Sequence, residues 1–150
     1  LVFVSPVDQC IVIRLTADKP GAISLKANLR GARNQAHSNY ATDYFRMDGL
    51  PPDKLMVTGK SADYMGIEGK LRYESVLKGI NEGGSMKVNG IDLIIENADA
   101  VTFYLVAATN FVSYKDVSAD QHARVLSYLK NVESKKMLII KKLICIILYT

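Results

Sequence analysis

Side chains able to do chemistry are few and scattered in this chain: two His, two Cys and fifteen Asp or Glu among 150 residues. Cys10 and Cys145 make neither a disulfide framework nor a CxxC pair, and Cys10 sits in the apolar run Cys10-Ile11-Val12-Ile13, where a thiol acts as a small core residue. His37 and His122 stand far apart in unlike surroundings, so neither a metal site nor a histidine-based catalytic set is expected, and no cofactor. Glu68, Glu74 and Glu82 lie on or beside strand-like segments, whose alternation is expected to turn carboxylates to solvent. Two groupings remain. Tyr40, Asp43 and Tyr44 form an aromatic-flanked carboxylate, followed by Phe45, in a long irregular stretch. Asn110, Tyr114 and Asp116 leave an apolar strand and run towards a helix; Thr109-Asn110 suits the backbone groups of a turn, and Tyr114 suits an anchor for the connection.

The elements that must position these groups are mostly strands. Gln9 to Ala17 carries Ile11, Val12, Ile13 and Leu15, the β-branched content of a buried strand. After Asp18-Lys19-Pro20-Gly21, which suits a type II turn, Ile23, Leu25, Ala27 and Leu29 alternate with Ser24, Lys26, Asn28 and Arg30. Period two with one polar face means an antiparallel sheet wet on one side, and the two runs read as a hairpin. Residues 31–53 are punctuated by Gly, Asn, Asp and Pro and read as a long loop. Strands resume at Lys54–Lys60 and Leu71–Asn81. Gly83-Gly84 turns the chain, and Asn89-Gly90, between Met86/Val88 and Ile91/Leu93/Ile95, predicts a type I′ hairpin. Ala100–Thr109 is apolar on both sides in its second half, as a central strand would be. The sequence predicts an antiparallel β-sandwich over residues 1–117. Ser118-Ala119-Asp120-Gln121 then reads as a capping box, with Val125, Leu126, Leu129 and Val132 at helical spacing, so a linker helix is expected over about 119–134.

Charge removes one class of partner. The net charge is +4, and Lys135, Lys136, Lys141 and Lys142 supply all of it, because residues 135–150 contain no acid. Residues 1–134 are neutral, so no long-range field attracts phosphates and no nucleic acid is expected as a partner. Eleven of residues 137–150 are apolar, without amphipathic or alternating pattern, and Lys141-Lys142 interrupts them. The stretch is too short to span a bilayer. Its composition reads as out-of-frame coding sequence, and Leu1-Val2-Phe3-Val4 reads as the second half of a strand, so the chain is expected to be part of a longer protein.

Several blocks carry a family resemblance. Asp8-Gln9-Cys10-Ile11-Val12-Ile13-Arg14-Leu15-Thr16-Ala17-Asp18-Lys19-Pro20-Gly21 resembles a hairpin of glycoside hydrolase family 95, the α-L-fucosidase family. Leu55 to Ser61, Gly69 to Glu74, and Ala107 to Ser118 resemble successive later blocks of its N-terminal domain, and the likeness ends at Met137. The resemblance implies a supersandwich of the galactose-mutarotase-like type ahead of an (α/α)6 barrel. It implies an inverting hydrolase of terminal α-L-fucose, with α-L-galactosidases among its relatives, in a family whose members are often exported. The family's general acid is a glutamate, and an asparagine supported by an aspartate activates its water. All lie in the barrel and none maps here, so no catalytic residue is expected in this chain.

Under that resemblance Asn110, Tyr114 and Asp116 become domain-interface candidates. Tyr40, Asp43 and Tyr44 are carbohydrate-contact candidates because a Tyr-rich loop suits sugar stacking, with a structural role in the loop the favoured reading. The expected partners are the catalytic barrel of the parent and, through it, a fucosylated glycan. A sandwich cut in half leaves unpaired edges and apolar surface, so self-association is expected as well. Two other readings are a stand-alone carbohydrate-binding sandwich, weakened by the absence of Trp and the dispersed tyrosines, and a membrane-attached protein held by its tail.

Overall fold

A computed structural model describes residues 1–30 and 45–147, with side chains as far as Ser134. The body is β, as the alternation predicts: β1 (Val2–Ser5), β2 (Cys10–Thr16), β3 (Ile23–Asn28), β4 (Phe45–Leu50), β5 (Lys54–Lys60), β6 (Arg72–Glu82), β7 (Ser85–Asn89), β8 (Asp92–Ala98) and β9 (Ala100–Thr109), followed by helix α1 (Gln121–Ile147). Six strands form one antiparallel sheet in the order β1-β2-β9-β6-β5-β4, and three form a second in the order β3-β8-β7.

The large sheet is apolar on both faces because both are covered. Towards the small sheet it sends Leu55, Leu77, Val101 and Phe103, which pack against Leu93, Ile95 and Ala98. Towards α1 it sends Cys10, Val12, Val76, Tyr104 and Val106, which meet Val125, Leu129 and Val132. Each buried Val or Leu contributes about 1.5–3 kcal/mol, so the helix supplies a second core and not a mere exit path. β9 lies between β2 and β6, which explains its apolar run on both sides. At Gly79 the sheets approach so closely that a Cβ would stand 2.7 Å from Leu93 Cδ2 and 2.8 Å from Met86 Sδ.

Four local expectations change. The β2 and β3 runs are not a hairpin: β2 pairs with β1 and β9, while β3 pairs with β8 in the other sheet. The turn between them exists, with Gly21 at φ 66°. It is tied to Asp99, whose carboxylate accepts Gly21 N–H at 2.7 Å and whose carbonyl accepts Ala17 N–H at 3.2 Å. The long strand β9 offered β2 more partners than β3 could. The β7–β8 hairpin is present, but Asn89 pairs with Asp92, so Gly90 and Ile91 are the central residues. Among described residues Gly90 has positive φ there and Asn89 and Ile91 do not, the pattern of a type II′ turn. Residues 45–50, expected as loop, form edge strand β4 on β5, a pairing that no local periodicity announces; residues 31–44 lie outside the described residues.

The fourth change is at the helix. Asp120, and not Ser118, is the N-cap: its Oδ1 accepts Ala123 N–H at 3.0 Å and its carbonyl accepts Arg124 N–H. Ser118 is engaged one turn earlier, its N–H donating to Asp116 Oδ1 at 2.8 Å. The helix then runs on past residue 134 to Ile147. Among the described residues no helix is long and apolar enough to cross a membrane.

Candidate functional site

The predicted interface residues sit at one end of the large sheet, where β6 begins and β9 ends. Asn110 is buried there and acts as a hub. Its Oδ1 accepts Arg72 N–H at 2.8 Å, and its Nδ2 donates to Lys70 O at 3.1 Å and Val117 O at 2.8 Å. Its backbone adds Asn110 N–H to Arg72 O and Ala119 N–H to Asn110 O. One side chain therefore ties the β5–β6 loop, the start of β6 and the approach to α1. Asp116 works within the same connection, its carbonyl accepting from Val112 and Ser113 N–H. The Ser118 hydroxyl and then the Ser118 backbone N–H hold its carboxyl below the usual carboxylate range. Tyr114 does not anchor the connection. It is 85% exposed, with Lys115 Nζ 5.2 Å from its ring centroid. The turn is closed by backbone bonds between Ser113 and Asp116, which leave the intervening side chain outside. Arg124, on α1, fixes the same connection by donating to Thr109 O and Phe111 O at 2.7 and 2.8 Å.

The neighbouring β5–β6 loop is built in the same way. Tyr64 and Ile67 exchange backbone hydrogen bonds, and Asp63 Oδ1 accepts Gly69 N–H at 2.9 Å. With the backbone satisfied internally, the side chains at the loop tips face solvent: Tyr64, Met65 and Ile67 on one loop, Phe111, Val112 and Tyr114 on the other. Six exposed apolar or aromatic side chains therefore stand on the two loops. The pairing of these two loops was not legible in the sequence, because their residues are separated by the whole of β6 to β9. Tyr40, Asp43 and Tyr44 lie outside the described residues.

A polar groove opens beside this end, between β4, β5, the start of β6 and the first turn of α1. It consists of two cavities of about 430 and 460 Å³ that share Lys60, Arg72 and Gln121 as walls. Arg46 and Thr58 complete the first, and Glu68, Lys70 and Ser118 help line the second.

Further along the face under α1, β6 carries Glu74, Val76, Lys78 and Ile80 at alternate positions. Glu74 was expected in solvent, yet it is buried, with His122 Nδ1 2.9 and 3.0 Å from its two oxygens; Glu68 and Glu82 are exposed as expected. The carboxylate holds the imidazole through Nδ1–H. Lys78 Nζ meets Asp53 Oδ2 at 2.8 Å and Glu133 Oε1 at 3.2 Å. Burial favours the neutral amine of Lys78, but the hydrogen bonds to Asp53 and Glu133 outweigh it and push its pKa up. These pairs join the helix to the sheet. Burial also pushes up the Cys10 thiol, aided by Asp8, and the Tyr104 phenol, whose hydroxyl finds no partner among the described residues. Among the described residues no cluster of three or more His, Cys, Asp or Glu could hold a metal.

The described residues form an all-β body closed by one helix, with Glu74 and Glu133 paired across the helix–sheet contact and Asp120 capping the helix. The family model described as glycosyl hydrolase family 65, N-terminal domain, matches residues 1–114, all nine strands and the connection as far as Tyr114. The chain belongs to that family. No curated protein matches it. The expectation of a glycoside hydrolase N-terminal domain with a β-sandwich fold holds; the family matched is 65, a match that does not single out family 95 or a fucosidase.

Proposed function

We propose that this domain is the non-catalytic sandwich of a glycoside hydrolase resembling inverting α-L-fucosidases, and that its loop end seats an (α/α)6 catalytic barrel carried by the same polypeptide. The observation that carries the reading is the pair of internally bonded loops around Asn110, which present Tyr64, Met65, Ile67, Phe111, Val112 and Tyr114 outward. The match to a family described as an N-terminal domain supports a domain that follows it, and the matched segment ends at Tyr114. Residues 118–136 are the linker to that barrel, and the fucosylated glycan is bound by the barrel. In the free chain the same tips, together with the apolar outer edge of β1 at Val2 and Val4, drive self-association.

The purified chain, given an aryl α-L-fucoside, releases no aryl alcohol; release proportional to chain concentration would overturn the reading. In a polypeptide joining this domain to its barrel, changing Tyr64, Ile67 and Tyr114 together to Ser lowers the melting temperature of the whole. An unchanged melting temperature there would remove the interface.

A further inference from the structure

The groove between β5, β6 and α1 gathers charge that the rest of the body lacks. Residues 1–134 sum to zero charge, yet the walls of the two cavities hold Arg46, Lys60, Lys70 and Arg72 against one acid, Glu68. Two of the four cations already have partners outside the walls: Arg46 Nη2 lies 2.8 Å from Asp48 and Lys60 Nζ 3.2 Å from Asp63. Lys70 and Arg72 make no ion pair among the described residues. Arg72 stands where the two cavities meet. Its backbone is fixed by Asn110, while its guanidinium is left exposed. A planar fork held at its base and free at its head is suited to bidentate capture of a carboxylate or sulfate. Thr58, Ser118 and Gln121 add neutral hydrogen-bonding groups around it, and each cavity falls in the volume range of small-molecule sites, about 300–1,000 Å³.

We propose that this groove binds an acidic saccharide, with Arg72 and Lys70 holding its anionic group and Thr58, Ser118 and Gln121 its hydroxyls. The choice of a sugar rests on the reading of the chain as part of a glycan-processing protein; the choice of an anion rests on the groove alone.

The experiment is amide NMR of the isotopically labelled chain titrated in turn with D-galacturonate, D-galactose and inorganic phosphate. Saturable shifts at Lys60, Arg72 and Gln121 with galacturonate, much weaker ones with galactose, and at least about a tenfold loss of affinity in Arg72→Ala are expected, since a charge-assisted hydrogen bond contributes about 1.5–3 kcal/mol. Lys70→Ala should weaken binding to a lesser degree. Both side chains are exposed, so dispersed spectra of the variants will show the fold intact. Equal binding of galactose, binding of phosphate without galacturonate, shifts that survive Arg72→Ala, or no saturable shift would each overturn the proposal. Its failure would leave the scaffold reading standing, because that reading is judged by hydrolysis and by the interface variants.

Discussion

His122, in the first turn of α1, places its Nδ1 within 3.0 Å of both carboxylate oxygens of Glu74, a residue near the start of β6. Four positions further along β6, Lys78 meets Glu133, eleven residues further along the helix. The strand advances about 13 Å over that interval and the helix about 16 Å, so the two pairs set α1 along β6 in the same direction. Between them lie Val76 on the strand and Val125, Leu129 and Val132 on the helix. The polar pairs fix the register, and the apolar strip supplies the energy.

Removing one member of the first pair should cost more than removing both. His122→Ala leaves the Glu74 carboxylate buried without its partner and is expected to destabilise the chain by about 2 kcal/mol. The double variant with Glu74→Gln should recover part of that loss. Urea unfolding of the wild type, both single variants and the double variant measures the coupling, and strictly additive losses would contradict the strut.

Asn110→Ala removes three side-chain hydrogen bonds that close two loops on one another. A loss of about 1–3 kcal/mol is expected, because two carbonyls and one N–H in part-buried positions lose their partner together. Amide exchange should rise at Arg72 and in the 61–71 loop, with little change in β7 and β8. Uniform exchange throughout the body would show that Asn110 is not a local clamp.

Tyr114→Ala separates the free chain from the joined polypeptide. In the free chain the residue is 85% exposed, so stability should move by no more than about 0.5 kcal/mol. In a polypeptide that joins the chain to the proposed barrel, the same substitution should lower stability more than it alters substrate affinity. A large change in affinity at unchanged stability would reassign Tyr114 to substrate contact.

Lys78 gives the pH dependence its sign. Its folded pKa lies above the ordinary 10.5, through hydrogen bonds to Asp53 and Glu133 that outweigh its burial. Its contribution is therefore complete below about pH 10.5 and is lost as pH rises through the higher folded value. Lys78→Met should cost about 1–2 kcal/mol at neutral pH, because Asp53 and Glu133 keep partial contact with water. The gap between wild type and variant should close at high pH. A gap constant from pH 7 to 12 would rule this out.

Gly79→Ala probes the two-sheet core. The added methyl would stand within 3 Å of Leu93 and Met86, and a loss of about 1–3 kcal/mol is expected. A smaller loss, read by thermal melting, would mean that the Met86 side chain yields.

The sequence by itself determined the kinds of element and their faces. Period-two alternation in β3 and β5, the apolar run of β9 and the helical spacing of Val125, Leu129 and Val132 are local signals, because each reports how one segment buries its own side chains. The neutral body could likewise be counted directly, because charge is summed from residue types alone. Only the tertiary structure decided which strands pair: β2 left its sequence neighbour β3 for β9, and β4 became an edge strand because β5 offered it a free ladder. Glu74 looked like a solvated carboxylate until α1 folded over it, and Lys60, Lys70, Arg72 and Gln121 became one groove only when two loops and a helix end met. Such meetings join residues dozens of positions apart, and no periodicity within a segment records them.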